Sequence, residues 1–222
     1  MGDVWAIVVA AGSGSRFGDS VPKQFSELGG LRLLDWALSA AGAACDNVVI
    51  VLPAAHFEAI VPAGVMTVTG GTTRSDSVRA GLAAVPDDAG IVVVHDAARP
   101  LAGVDLFERV IAAVRAGADG AVPGVAVPDT VKRIDAAGRV VETPDRAALR
   151  AVQTPQAFSA AVLRRAHAAG GEATDDAALV EALGATVVVV DGDPDNLKIT
   201  GPDDLARAEV LLDRRDARAM DA

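Results

Sequence analysis

The chain has 222 residues, 51% of them hydrophobic, with 20 basic against 30 acidic side chains and a formal charge of −10. That length suits one large α/β domain or two small ones, and the acidic balance excludes the broad basic face that nucleic acid needs and a polybasic membrane contact. Any site for an anion must therefore be a local cationic cluster, and the single cysteine, Cys45, excludes an internal disulfide and cysteine-based zinc motifs.

The opening MGDVWAIVVAAG lacks the basic start of a signal peptide. No apolar run reaches the ~18 residues of a membrane span, so the expectation is a soluble, cytoplasmic protein. Residues 4–10 (VWAIVVA) read as a strand that is apolar without alternation, the mark of burial on both faces in a parallel sheet. A glycine-rich loop follows. Gly12 and Gly14 let the backbone approach a ligand closely, and successive exposed N–H groups there can line an anion nest. Two known phosphate loops fail in detail: there is no G-K-[ST] for a P-loop, and the third glycine of G-x-G-x-x-G is replaced by Phe17. What remains is a loop followed by Arg16 and, after Pro22, Lys23. The alternatives for that pair are idle surface cations or two charges brought onto one triphosphate.

Further along, 31–44 reads as a helix that ends beside Cys45, a small packed residue in this context. Strands are expected at 47–52 and 65–69. The next helix, 72–85, begins with Arg74, Ser75, Asp76 and Ser77, which is either a helix-capping cluster or a ligand contact. The strand 91–96 ends on Asp96, where an open α/β sheet carries its functional groups, and His95 reads as a satisfied neighbour. Helix 104–117 and strand 120–127 follow. Then 131–134 and 139–143 flank DAAG as a β-hairpin. An isolated hairpin is marginal in water, nothing adjacent covers it, and a partner subunit is one solution. Helices are expected at 158–170 and 175–184, the second with Thr174 as its N-cap. A strand at 186–191 leads to GDPDN, in which Asp195 is a turn former or a weak metal candidate. The last helix is 202–215, and the tail 213–222 is expected to fray. The fold class is α/β: a doubly wound, Rossmann-like, mostly parallel sheet with helices on both faces and a protruding β-hairpin arm. One domain over 1–222, with an arm at about 128–145, is expected.

Residues 10–25, AAGSGSRFGDSVPKQF, resemble the signature loop of nucleotidyltransferases that join a nucleoside triphosphate to a phosphorylated small molecule. GGTTRSDSV (70–78), VHDAARP (94–100), PDTVKR (128–133), DRAALRAVQTPQAF (145–158), TDDAALVE (174–181) and DNLKIT (195–200) narrow the likeness. Together, from about residue 4 to about residue 211, they resemble the 2-C-methyl-D-erythritol 4-phosphate cytidylyltransferases of the non-mevalonate isoprenoid pathway. Ribitol-5-phosphate cytidylyltransferases share much of the scaffold but usually read DAVRP where this chain has Asp96-Ala97-Ala98-Arg99-Pro100. Arg150, where many family members carry Trp, and Phe25, often Tyr there, depart from the family pattern.

The resemblance implies transfer of the cytidylyl group of CTP to methylerythritol phosphate, with Mg²⁺ or another divalent cation. Arg16 and Lys23 would stabilise the transition state, and the backbone of Ala10, Ala11, Gly12, Ser13 and Gly14 would cradle the triphosphate. Gly71, Arg74, Asp76 and Ser77 would hold cytosine and ribose. Arg146 and Lys198 would grip the second substrate. Asp96, Arg99, Thr130, Thr154 and Thr174 are further substrate contacts, with Asp96 also the metal candidate. The family's arm crosses to the other subunit of a homodimer, so Arg146 and Thr130 would act in trans. The rival readings are another sugar-phosphate cytidylyltransferase and a non-catalytic nucleotide-binding module.

Overall fold

Strands that are apolar on both sides need a layer of helices over each face, and this chain supplies both. The structure, a computed structural model, describes residues 2–12, 22–56 and 61–220. Strand β1 (Val4–Val9) is followed by a small ribbon, β2 (Glu27–Leu28) and β3 (Leu31–Arg32), then by α1 (Leu33–Ala44), β4 (Asn47–Leu52), β5 (Met66–Thr69) and α2 (Arg74–Ala84). Next come β6 (Ile91–Asp96), α3 (Val104–Arg115), β7 (Gly120–Ala126), the hairpin β8 (Arg133–Ile134) and β9 (Val140–Glu142), and β10 (Arg150–Val152). The chain closes with β11 (Gln156–Ser159), α4 (Ala160–Ala168), α5 (Asp176–Glu181), β12 (Val187–Asp191) and α6 (Pro202–Met220).

Eight strands form the main sheet in the order β10-β7-β11-β6-β1-β4-β5, with β12 paired to β7. β1 pairs in parallel with β4 on one side and β6 on the other, and β5 and β12 also pair in parallel with their neighbours. β10 and β11 run antiparallel to β7, and β11 is inserted between β7 and β6. The sheet is therefore mostly parallel and doubly wound, as expected. From β1 the chain builds outward to β4 and β5, then returns to lay β6 on the other edge of β1. That reversal puts a crevice between the carboxyl ends of β1 and β6, the usual place for a ligand in such sheets.

The alternation of side chains along β1 feeds two cores. Val4, Ala6 and Val8 pack beneath α1 and α3, against Leu34, Leu38, Leu106, Phe107 and Val110. Ile7 points the other way, to α2, α4 and α5, against Val78, Leu82, Leu163 and Val180. Gly81 lets α2 settle onto this second face, since a Cβ there would lie 2.5 Å from Cγ2 of Ile7. A third cluster of Leu28, Leu33, Leu101, Ile199 and Leu212 seats α6 over the β2–β3 ribbon. Cys45 is 8% exposed within the first core, and burial pushes its thiol up to about 12.

Several expectations need correction. The helix read over 158–170 begins only at Ala160, because Gln156, Ala157 and Phe158 are buried in the sheet as β11. The helix read from 31 begins at Leu33, after the β2–β3 ribbon has closed. The N-cap of α5 is Asp175 rather than Thr174, since the Asp175 carboxylate accepts from the backbone N–H of Ala178 at 3.0 Å. The tail does not fray from 213, because α6 continues to Met220.

Candidate active site

The crevice is built from strand ends. The N–H of Ala10 donates to Val51 O, and that of Ala97 to Val9 O at 3.0 Å, so the turns after β1 and β6 leave side by side. The turn after β1 is held from below by Gln24, 3% exposed, whose Nε2 donates to Ala10 O at 2.6 Å and to Gly12 O at 3.3 Å. Gly70 lets the turn after β5 close on the same place: a Cβ there would collide with that of Ala11. Lys23 follows in the short 3₁₀ turn Lys23–Phe25, and its Nζ donates to Ile199 O at 2.8 Å. Lys23 is thereby tied to the residue next to Lys198. Ser13, Gly14 and Arg16 lie outside the described residues.

A pocket of about 240 Å³ opens at this end of the sheet, and Arg74, Asp96, Arg99, Thr154, Thr174 and Lys198 all line it. Side chains from well-separated stretches of sequence are thus brought together. Asp96 is the hub. Its Oδ1 accepts from Arg74 Nε at 3.1 Å and its Oδ2 from Lys198 Nζ at 2.7 Å. Burial alone would raise the Asp96 pKa, but Arg74 and Lys198 outweigh burial and hold the carboxyl well below the usual carboxylate range. Burial would likewise lower the Arg74 pKa, and Asp96 and Asp176 reverse that, so Arg74 stays charged.

Arg99 donates from Nη1 to Asn196 O at 2.7 Å, which fastens the loop carrying Lys198 to the end of β6. That loop is stiffened from within. Gln153 Nε2 donates to Asp193 O at 2.8 Å, and Asn196, fully buried, donates to Thr154 O at 3.0 Å. Asp195 lies in the turn, as expected: the Asn196 N–H closes it on Asp193 O at 3.0 Å, and the Asp193 carboxylate braces it by accepting from the Asp195 N–H at 2.8 Å.

His95 is fully buried under this hub, with Nε2 3.2 Å from Arg99 O and Nδ1 3.1 Å from Thr154 Oγ1. A carbonyl only accepts, so Nε2 carries the proton and Nδ1 takes the Thr154 hydroxyl proton. Thr154 Oγ1 in turn accepts from the Asp96 N–H at 3.1 Å. Burial pulls the His95 pKa down to about 4. Both ring nitrogens are engaged, which leaves His95 to hold the strand end rather than to move a proton.

At the start of α2, Thr73 and Asp76 form a capping box: Thr73 Oγ1 accepts from the Asp76 N–H at 3.0 Å, and Asp76 accepts from the Thr73 N–H at 3.2 Å. Asp76 also takes Arg79 and Thr72, and these bonds hold its carboxyl below the usual range. Ser77 is buried and donates to Thr73 O. A Cβ on Gly71 would collide with that of Asp76, so the Gly-Gly turn lies tight against this cap.

Lys23, Gly71, Asp76, Ser77 and the turn at 10–12 do not line this pocket, and neither do Arg146 and Thr130. The last two are exposed, and Arg146 donates to Pro128 O at the base of the arm. Arg150 likewise turns back onto Ala147 O and Leu149 O. Sequence reasoning missed Asp176, which is 1% exposed and bonds Arg74 Nη1 at 2.7 Å, and also Gln24 and Asn196. A signal for Asp176 existed: it lies in helical phase with the buried Leu179 and Val180, so it faces inward while Glu181 does not.

The profile of the 2-C-methyl-D-erythritol 4-phosphate cytidylyltransferase family matches residues 4–214. A relative bearing that name from Nocardia farcinica (strain IFM 10152) is 53% identical, over 97% of this chain and 96% of its own length. Another of that name, from Rhodococcus jostii (strain RHA1), is 48% identical over 96% of each chain. Among solved structures, the 2-C-methyl-D-erythritol 4-phosphate cytidylyltransferase from Thermus thermophilus is 40% identical with a TM-score of 0.78, over 95% of this chain and 98% of its own. The 4-diphosphocytidyl-2C-methyl-D-erythritol synthase from Anaerococcus prevotii DSM 20548 is 29% identical with a TM-score of 0.85, over 96% of each chain.

Proposed function

The chain belongs to the 2-C-methyl-D-erythritol 4-phosphate cytidylyltransferase family, and from that premise we propose how its pocket carries out the transfer. The enzyme passes the cytidylyl group of CTP to 2-C-methyl-D-erythritol 4-phosphate in isoprenoid precursor synthesis. A phosphate oxygen of the acceptor attacks the α-phosphorus, the bond to the bridging oxygen breaks, and pyrophosphate leaves. The attacking phosphate is already anionic at neutral pH, so no general base is required. The task is to hold two polyanions in line and to neutralise the charge that gathers between them.

In this reading Arg16 and Lys23 stabilise the crowded phosphorus centre, and the backbone of 10–14 cradles the triphosphate. Gly71, Arg74, Asp76 and Ser77 form the cytidine side. Lys198 takes the phosphate of the acceptor, with Asp96, Arg99, Thr154 and Thr174 around its hydroxyls. The single observation that carries the reading is the meeting of Lys23 and Lys198: Lys23 Nζ bonds Ile199 O while the adjacent Lys198 reaches Asp96. Lys23 is thus tied through its ammonium to the residue beside Lys198, which supports a reading in which the two cations serve two phosphorylated substrates.

Among the described residues no group of three or more His, Cys, Asp or Glu side chains stands ready for a metal ion. Asp96 already accepts from two cations, although each of its oxygens keeps a second lone pair. A divalent cation such as Mg²⁺ would therefore be carried by the triphosphate, with Asp96 as its protein contact, and would neutralise phosphate charge there.

The arm completes the proposal. Ile134 and Val140 are each 59% exposed on it, a surface that a second copy of the chain would cover. In that homodimer Arg146 and Thr130 act on the neighbour's acceptor phosphate, and the rest of 1–222 works as one cytoplasmic catalytic domain.

The test is a substrate panel: CTP, UTP, ATP and GTP, each against methylerythritol phosphate and ribitol 5-phosphate, followed by pyrophosphate release. CTP with methylerythritol phosphate should lead clearly. Equal or faster turnover of ribitol 5-phosphate would overturn the acceptor assignment.

A further inference from the structure

Five ionisable side chains from five parts of the fold form one unbroken line from the core to the pocket rim. His167 of α4 donates from Nε2 to Asp176 Oδ1 at 3.0 Å, and Asp176 Oδ2 accepts from Arg74 Nη1 at 2.7 Å. Arg74 passes the line on through Nε to Asp96 Oδ1 at 3.1 Å, and Asp96 Oδ2 ends it on Lys198 Nζ at 2.7 Å. Side-chain exposure is 1% at Asp176 and 3% at His167, against 43% at Lys198. Asp176 and His167 are closed off from solvent and absent from the pocket lining, so neither is in reach of substrate.

A carboxylate buried that deeply is costly unless it is paired, and an apolar residue would pack as well at its place in α5. What Asp176 adds is direction. A guanidinium facing one carboxylate takes both of its oxygens, fork to fork. Arg74 instead faces two carboxylates and is divided between them, one nitrogen to each. It gives Asp96 only Nε, and so Asp96 Oδ2 is left wholly to Lys198. His167 occupies the other Asp176 oxygen and stops the carboxylate from turning away from Arg74.

We propose that Asp176, braced by His167, is a positioning residue for cytidylyl transfer: it draws Arg74 back so that Asp96 holds the Lys198 ammonium at the pocket. This rests on the assignment of Lys198 to the acceptor phosphate.

The experiment is a double-mutant cycle on the full-length enzyme, with folded fraction checked by circular dichroism and kcat/KM measured for methylerythritol phosphate. Asp176→Asn should lower kcat/KM about ten-fold in the native background, but less than about two-fold when Lys198 is already Met, because both act through the same ammonium. Losses that multiply in the two backgrounds would overturn the proposal while leaving the site reading intact. A fully active Lys198→Met enzyme would overturn the site reading and the proposal with it. Should Asp176→Asn fail to fold, His167→Phe decides, since it removes the brace and keeps a ring in its place. It should lose activity several-fold with Lys198 present and not in the Lys198→Met background, and an unchanged kcat/KM would overturn the proposal.

Discussion

Lys23 shows how a backbone carbonyl can fix a single side chain at a site. Its ammonium lies 2.8 Å from Ile199 O, so it is held beside the residue that follows Lys198. Removing a donor of that kind from a charged transition state costs on the order of 3 kcal/mol. Lys23→Ala and Arg16→Ala should each lower kcat by about 100-fold or more, measured under saturating CTP. A normal kcat in both would refute their role. Gly70 belongs to the same scale. Because its added Cβ would collide with that of Ala11, Gly70→Ala must displace the turn after β1, and the KM for CTP should rise several-fold while the KM for the acceptor moves less. His95 supplies a stability signal. Its pKa falls from 6.5 to about 4 on folding, so between those limits the unfolded chain binds the proton that the folded one refuses. Stability should therefore decline as the pH falls through that window, by about 3 kcal/mol in all. Urea unfolding at pH 7 and pH 4.5 should show a smaller loss for His95→Asn than for the native chain. An equal loss would assign the slope to other groups.

At the scale of elements, the legible parts are those with a long, simple pattern. The parallel strands 47–52 and 91–96 are legible to the residue, because buried parallel strands are continuous β-branched runs. β11 is not, since four residues that begin with a buried Gln and run straight into α4 give neither alternation nor a turn. The hairpin is legible from its pattern, with strands shorter than expected, and it carries exposed apolar side chains. Ile134, Val140 and Val141 are 59%, 59% and 49% exposed. If a second copy covers them and receives Arg146, then Lys23→Ala and Arg146→Ala chains, each inactive alone, should complement when unfolded together and refolded. A heterodimer then has one complete site, and random pairing should return about a quarter of native activity. No recovery, with heterodimers present by mass spectrometry, would mean that Arg146 serves its own chain.

Across the whole molecule, the acidic balance and the cationic residues of the crevice are visible in composition and motif, but the wiring of the crevice is not. Arg74 and Asp176 are 102 residues apart, as are Asp96 and Lys198, and no local pattern announces such pairings. Resemblance supplied Lys198 and Arg74 as residues that touch substrate. It gave no hint that one carboxylate would join them, or that Gln24 would clasp the turn carrying the nucleotide loop. The Asp96 contacts exist only once α2 and the loop after β12 have converged on the end of β6, and the Gln24 clasp only once the turn Lys23–Phe25 has packed under the end of β1. The −10 charge and the pocket act together in solution as well: a protein repelling polyanions at long range must capture its substrates at close range, so added salt should raise their on-rates modestly rather than depress them.

The lone thiol has a practical meaning for watching this enzyme at work. Cys45 is shielded, and its proton is held to about pH 12, so maleimide dyes at neutral pH should find nothing to react with. A cysteine introduced at Ala137, on the exposed tip between β8 and β9, would then be the sole attachment point for a fluorophore, with no background mutation needed. The native sequence is in that sense already prepared for single-molecule spectroscopy of its own arm.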